Sequence, residues 1–490
     1  MELSHSRVFF ALVFIVLVAP IWVVEIPPLV DLPNHAARIS ILANYDDSKF
    51  FREHFEVLYE PIPNMGMDML LMPLAELVGI WTAFKIFLSL IVVLFVVGCQ
   101  LIAGVLHKNA LTFTSLVAPF LLYGSTLFYG YLNYLLSVAL FLICFGLWLR
   151  WRDSLTALRF LFLSVLVFAV YLSHLSSFAF LGLAIVLYNL YQTRSKGPKE
   201  RSVAFWLADA SLFLAPAIAF LTFIRGSGSV GTLEWEGFRK KLVVSIGPLL
   251  SYDNFVDIIC YSAVLGFIAW LLFRKRIVVN RSVLFVSLSF FLLFFVAPTS
   301  LFTAGDADAR IVLPAYCLLI LSIDSRSVMR DYVPIAILIL ALLGFRQVMI
   351  GDRWHQMSST LTNAAQIYDK LPANSFVYVT YGQGYLEDTP KTERIKFLSI
   401  GLATIDRGVI WPRLFAIRGQ QPLVFRRTRQ TPELSIDNID AWDEILSEYD
   451  HVWAFKVSDD VRKQLLLRGS MIAETNDMIL IKIKDRSKEQ

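Results

Sequence analysis

Runs of about twenty apolar residues recur along the first 350 positions of the chain and then stop. Candidate spans cover approximately residues 8–26, 81–106, 111–127, 132–149, 157–172, 175–191, 203–224, 256–273, 282–298, 309–323 and 332–350. A bilayer-crossing helix needs ~20 consecutive, mostly apolar residues, so the pattern predicts about eleven transmembrane helices, several of them short. The short pairs around 128–133 and 173–175 are candidates for tight re-entrant hairpins. A long segment, about 27–80, separates the first two spans. Within it, residues 34–45 (NHAARISILANY) place apolar side chains at helical spacing, and Met67 to Val78 forms a second short apolar stretch. Both read as helices lying in the membrane interface.

From Gly351 to Gln490 the periods change and no window can span. Residues 357–371 (MSSTLTNAAQIYDKL) carry an amphipathic helical pattern, and FVYVTY at 376–381 reads as a strand. A second strand is predicted over 451–457, a helix over 459–468, and a last strand over 478–483 (MILIKI). The expected fold is therefore an α-helical polytopic membrane protein, residues 1–350, followed by a soluble α/β domain, residues 351–490. That tail is of ordinary domain size. No internal repeat is visible.

Composition excludes an ordinary soluble protein, since 57% of the 490 residues are hydrophobic and 17% are charged. The net charge of +4 says less than its distribution and gives no reason to expect nucleic acid as a partner. Between spans, one set of segments is compact and basic: Arg150-Trp151-Arg152, RSKGPKER at 194–201, Arg274-Lys275-Arg276 with Arg281, and Arg326 with Arg330. The other set is longer and acidic or mixed, at about 31–80, 225–257 and 299–310. The positive-inside rule assigns the first set to the cytoplasm, which puts the N-terminus inside and the polar tail in the periplasm or its equivalent. Residues 8–24 resemble a signal-peptide core, but WVVEIPPLVD follows in place of a small-residue cleavage site, so a retained first helix is expected. Cys99, Cys144, Cys260 and Cys317 all lie in apolar runs, which argues against a disulfide framework or a cysteine zinc site.

Under this topology a set of polar residues collects at one side of the membrane. Asp31, His35 and Arg38 (VDLPNHAAR) follow the first span; Asn64 and Asp68 (PNMGMD) lie further along the same loop. Asn133 (FYGYLNYLL) and His174 (YLSHLSSF) sit at turns, and Asp306, Asp308 and Arg310 (GDADARIVLP) precede the tenth span. Ionisable groups near the membrane interior cost ~2.5–3.5 kcal/mol each at a helix centre, so such residues are candidates for binding or catalysis. Each also has a structural reading. Asp31 can cap the helix that follows it, His35 and Arg38 can be solvated residues of an interfacial helix, and Asn133 and His174 can serve their turns. Arg310 at the mouth of a span is a natural anion ligand. No metal-binding spacing is present, so a divalent ion held by Asp31, His174 or Asp306 rests on residue type alone, and the phosphate-loop spacing of a nucleotide-driven pump is absent.

With these segments in place, the chain resembles the C-type glycosyltransferase superfamily (GT-C), which includes protein O-mannosyltransferases, oligosaccharyltransferases and lipid A aminoarabinose transferases. Asp31 falls where that superfamily has an acid just after its first span. DLPNHAAR, YEPIPNMGMD, YGYLNYLL, SHLSSF and LFAIRGQQPL (414–423) are similar to the pattern of a group of bacterial multi-spanning membrane proteins placed near it. The superfamily often has an acidic pair in the first loop, whereas Leu32 follows Asp31 here, so a second acid such as Asp68 would have to come from elsewhere. The resemblance implies transfer of a sugar from a polyprenyl-phosphate donor to a glycan, glycolipid or protein acceptor at the outer face of the bilayer. Asp31 would act as general base and Arg310, Arg38, His35 or His174 would stabilise the departing phosphate. Two other classes compete: a transporter or flippase of lipid-linked saccharides, and a non-catalytic assembly protein. A transporter predicts ionisable groups near the midplane and repeated halves.

Overall fold

A computed structural model of the chain describes residues 2–108, 112–196, 203–223, 232–302, 305–324, 333–382, 399–427, 434 and 436–484. Arg326 and Arg330, and residues 197–201 of the basic 194–201 segment, lie outside the described residues. The chain divides into two compact units: Met1–Val24, Glu60–Leu70 and Phe84–Arg353 form the first, and Glu25–Tyr59, Leu71–Ala83 and Trp354–Gln490 the second. The second unit thus combines the polar tail with parts of the loop after the first span.

The helices, in chain order, are α1 (Glu2–Trp22), α2 (Leu32–Ala43), α3 (Lys49–His54), α4 (Met65–Val78), α5 (Ile80–His107), α6 (Phe113–Val117), α7 (Ser125–Tyr129), α8 (Leu132–Trp151), α9 (Ala157–Ser173) and α10 (Leu175–Lys196). There follow α11 (Val203–Ser211), α12 (Leu214–Phe223), α13 (Phe238–Ser245), α14 (Asn254–Phe273), α15 (Arg281–Val296), α16 (Ala309–Leu321), α17 (Val333–Tyr368), α18 (Ile400–Arg407), α19 (Trp442–Leu446) and α20 (Asp459–Arg468). Among the described residues, five helices are long and apolar enough to cross a membrane, or six if the bent pair α11–α12 counts as one span. The chain is accordingly a multi-pass membrane protein. The expected count of eleven is not reached on length, because five of the apolar helices are shorter: Phe9–Trp22 within α1, the Phe113–Tyr129 segment, and α9, α15 and α16, which have 17, 16 and 13 residues. At 1.5 Å per residue such helices fall short of a ~30 Å hydrocarbon core.

Two predicted spans are interrupted for identifiable reasons. Residues 111–127 break into α6, a 3-10 turn over Ala118–Leu122, and α7. Thr112 caps α6 through a reciprocal pair with Ser115, and Pro119 and Gly124 follow. A side chain at Gly124 would lie within 2.6 Å of Pro248 backbone, so the chain there must stay bare. The 203–224 span bends by 47° between α11 and α12. The break falls at Leu212–Phe213; Pro216, in the first turn of α12, has no N–H for the Leu212 carbonyl, so α11 cannot run on into α12 as one regular helix. In the opposite sense, the span at 332–350 and the amphipathic helix at 357–371 are one continuous helix, α17.

In the first unit, α15 packs along α16, α8 along α9, and α10 against both α8 and α15. Two ion pairs are buried in this unit. Lys241 Nζ donates to Asp308 Oδ2 at 2.8 Å and to the carbonyls of Phe294 and Ala297, with side chains 4% and 2% exposed. Arg346 Nε donates to Asp257 Oδ1 at 2.6 Å, both side chains fully buried. All four cysteines are free and buried.

The main sheet of the second unit is built from β6 (Val377–Tyr381), β8 (His451–Phe455), β9 (Gly469–Glu474) and β10 (Met478–Ile483); five short strands precede β6 in the chain, and β7 (Leu423–Phe425) lies between β6 and β8. The sheet has the order β6-β8-β10-β9, parallel between β6 and β8 and antiparallel elsewhere. Trp442, Leu446, Val452, Leu465 and Ile481 pack as its core. The first of the short strands, β1 (Phe55–Val57), pairs with β7 and ties the early loop to the tail.

The first predicted interfacial helix is corrected. Every residue of α2 from Leu32 to Leu42 is buried, so it is a core helix of the second unit and not one lying on a membrane surface. Its partner is α18, where a Cβ at Gly401 would stand 2.5 Å from the Pro33 carbonyl oxygen. Gly401→Ala is expected to lower stability by about 1–3 kcal/mol, since backbone meets backbone and neither side can yield. Thermal unfolding of the purified protein checks this, and an unchanged midpoint would mean the two helices can part freely. The second stretch, α4, exposes Met69, Leu70, Leu77 and Val78, as a helix against lipid does.

Candidate functional site

The polar residues named from sequence fall into two sets, one in each unit. In the first unit the N-terminal turn of α8, Tyr131-Leu132-Asn133-Tyr134, is the hub. Asn133 is buried and its Oδ1 accepts from the Met67 backbone N–H of α4 at 2.9 Å. Tyr134 meets the His174 ring edge-on, with centroids 5.5 Å apart, and its hydroxyl donates to the Arg310 carbonyl at 2.5 Å. Tyr131 stacks under the Arg310 guanidinium, 4.9 Å from ring centroid to Cζ, while its hydroxyl donates to Asp306 Oδ2 at 2.6 Å. One turn of helix therefore touches the starts of α4 and α16 and the α9–α10 break.

Each arriving segment is shaped to fit. Asn64 sits at φ +71°, in the left-handed region that Asn tolerates better than most residues, just before α4 begins. Gly66 follows, where a Cβ would be 2.6 Å from Ser173 Oγ. Asp68, in the first turn of α4, is 4% exposed. At the α9–α10 break His174 is extended, and its Nδ1 accepts from the Ser176 backbone N–H at 3.1 Å. That bond assigns the proton of a neutral ring to Nε2. Burial, and then Arg310, push the His174 imidazole well below its usual range, toward this neutral form. Asn133 and His174 thus do serve their turns, and the same bonds hold them beside Tyr134.

At the start of α16 the three charged residues separate in role. Asp308 caps α16 by accepting from the Ala309 N–H and also receives Lys241 and Thr299. Three donors and near-complete burial commit it to the fold. Asp306, at φ +52°, is exposed and held by Tyr131. Arg310 donates from Nη1 to the Gly305 carbonyl at 2.6 Å, and its buried Nε has no hydrogen-bond partner. A half-buried guanidinium over an aromatic face with an unmatched N–H is suited to an anion.

In the second unit Asp31 stands at the N-cap position of α2, yet its backbone is helical (φ −84°, ψ −8°) and its carboxylate makes no capping bond. The capping role is therefore not filled. Asn34, one turn in, closes a two-point contact with a segment far along the chain: its Nδ2 donates to the Arg413 carbonyl at 2.9 Å and its Oδ1 accepts from the Phe415 N–H at 2.8 Å. His35 packs on the Phe415 ring at 5.0 Å, and Arg38, 1% exposed, lies 6.0 Å from the same ring. The sequence motifs DLPNHAAR and LFAIRGQQPL are thus one packed feature. Arg413 in turn lies over Tyr381 and donates to its hydroxyl at 3.1 Å.

Among the described residues no group of three His, Cys, Asp or Glu side chains is placed to hold a metal ion. Tyr131, Tyr134, Asn34 and Arg413 were not singled out by the sequence.

No protein-family model matches the chain, and no curated protein matches its sequence. Its fold is that of solved structures of ArnT from Cupriavidus metallidurans. The crystal structure of ArnT bound to undecaprenyl phosphate superimposes with a TM-score of 0.54 at 12% identity, covering 98% of each chain. The apo ArnT structure gives 0.56, with the same identity and coverage.

Proposed function

We propose that the chain is an integral membrane glycosyltransferase that takes its sugar from a polyprenyl-phosphate donor. The observation that carries this reading is the hub on α8, which gathers Arg310 and the Nε2–H of His174 around two tyrosines at the ends of apolar helices. A lipid-linked sugar phosphate needs such a place, apolar for the prenyl chain and cationic or hydrogen-bonding for the phosphate that leaves. An anion there is stabilised more strongly than in water, because the surroundings are of low dielectric. The ArnT fold adds support, since one of those structures holds undecaprenyl phosphate.

Asp31 is assigned the general base. A weak hydroxyl nucleophile gains from a carboxylate that takes its proton as the new bond forms, and Asp31 is not spent on capping its helix. The charge pattern of the loops favours transfer at the outer face of the membrane. Inversion at the anomeric carbon follows if the acceptor displaces the phosphate directly. The acceptor class, whether glycan, glycolipid or protein, is a matter for assay.

Arg310→Ala is expected to raise the donor concentration needed for half-maximal transfer by about tenfold or more, as loss of a charge-assisted hydrogen bond to phosphate predicts. Purified protein in lipid vesicles, supplied with labelled polyprenyl-phosphate sugars and envelope acceptors, tests it. Movement of the lipid-linked sugar across the vesicle without transfer to any acceptor would favour the transporter reading over this one.

A further inference from the structure

Away from the hub, the C-terminal halves of α5 and α8 meet closely. They touch where a Cβ at Gly98 would stand 2.6 Å from Leu142 Cβ and one at Gly146 would stand 2.9 Å from Leu101 Cγ. Beside this contact the two helices line an open cavity of about 670 Å³. Its walls are apolar, with Leu101, Val105 and Leu149, and its polar lining comprises Gln100, Lys108 and Arg150.

Lys108 is placed there at a cost. It ends α5 in the left-handed region, at φ +54°, a conformation that a glycine would adopt without strain. Both cations are exposed. Two exposed cations bind a free anion weakly, because water screens them. A ligand that also covers the apolar walls gains what charge alone does not supply.

We propose that this cavity binds an anionic glycerophospholipid, its phosphate between Lys108 and Arg150 and an acyl chain along Leu101, Val105 and Leu149. Basic pockets between membrane helices are suited to such headgroups, and the volume falls in the range of small-molecule sites. The site is separate from the transfer chemistry and does not depend on it.

The test uses the full chain in lipid nanodiscs, with retained lipid read by native mass spectrometry while phosphatidylglycerol competes with phosphatidylcholine. Wild-type protein is expected to retain phosphatidylglycerol in preference. Lys108→Gly, which keeps the left-handed end of α5, and Arg150→Ala are each expected to weaken that retention about fivefold, and together roughly thirtyfold. Val105→Trp, which fills the cavity without changing charge, is expected to reduce retention of both lipids. Equal retention of the two lipids by wild-type protein would overturn the proposal, as would unchanged retention in the double variant. Polyprenyl phosphate displacing phosphatidylglycerol in a Lys108- and Arg150-dependent way would overturn the assigned occupant.

Discussion

Asp31→Asn is expected to reduce sugar transfer by about 10²–10⁴-fold while leaving the protein folded, which is the range that general-base catalysis contributes. The amide keeps the size of the side chain and removes its ability to accept a proton. The carboxylate makes no capping bond to α2, so the usual cost of about 1 kcal/mol for losing a cap does not arise. Asp31→Glu keeps the base but moves it by one methylene, and should retain more activity than the amide. Transfer rates in vesicles, read beside the thermal midpoint, separate the two roles. Wild-type transfer by Asp31→Asn would remove Asp31 from the chemistry, and loss of transfer together with collapse of the midpoint would return it to the fold.

Much of this placement was legible in the sequence because membranes make polar residues conspicuous. Asn133, His174 and Arg310 stood out as polar groups at the ends of apolar runs, and the structure joins them through one helical turn. Tyr131 and Tyr134, which do the joining, did not stand out, since aromatic residues in an apolar run have the signature of core. The contact between Asn34 and Arg413 spans 379 positions, and periodicity carries no information at that range. In the tail, the predicted helix at 459–468 and the strand at 478–483 match α20 and β10. Strand β9, GSMIAE, was missed because its burial does not alternate. Asp308 shows the opposite failure: a charged residue beside a span can be fully committed to structure when a cation from a distant segment, Lys241, is buried against it.

The same lesson applies with more force to Arg346, which the sequence hid inside the last apolar run. Arg346 Nη2 donates to the Tyr123 carbonyl at 2.7 Å, its guanidinium lies 5.3 Å from the Tyr261 ring, and its Nε is paired with Asp257. Asp257 also accepts from the Ser251 hydroxyl at 2.9 Å. These bonds tie α17 to α14 and to the irregular segment after α6, whose carbonyl at Tyr123 lies outside any helix. Arg346→Met alone leaves a buried carboxylate without its cation, and is expected to cost about 3–5 kcal/mol. Asp257→Leu alone leaves the guanidinium in the same position and should cost a similar amount. The double variant Arg346→Met/Asp257→Leu removes both charges together, and most of the loss should be recovered, because the desolvation penalty disappears along with the attraction. Thermal unfolding in detergent of the wild type, both single variants and the double variant measures the coupling. Additive losses would show that the pair acts as two independent contacts, and that the irregular segment is held by the Tyr123 carbonyl bond in its own right.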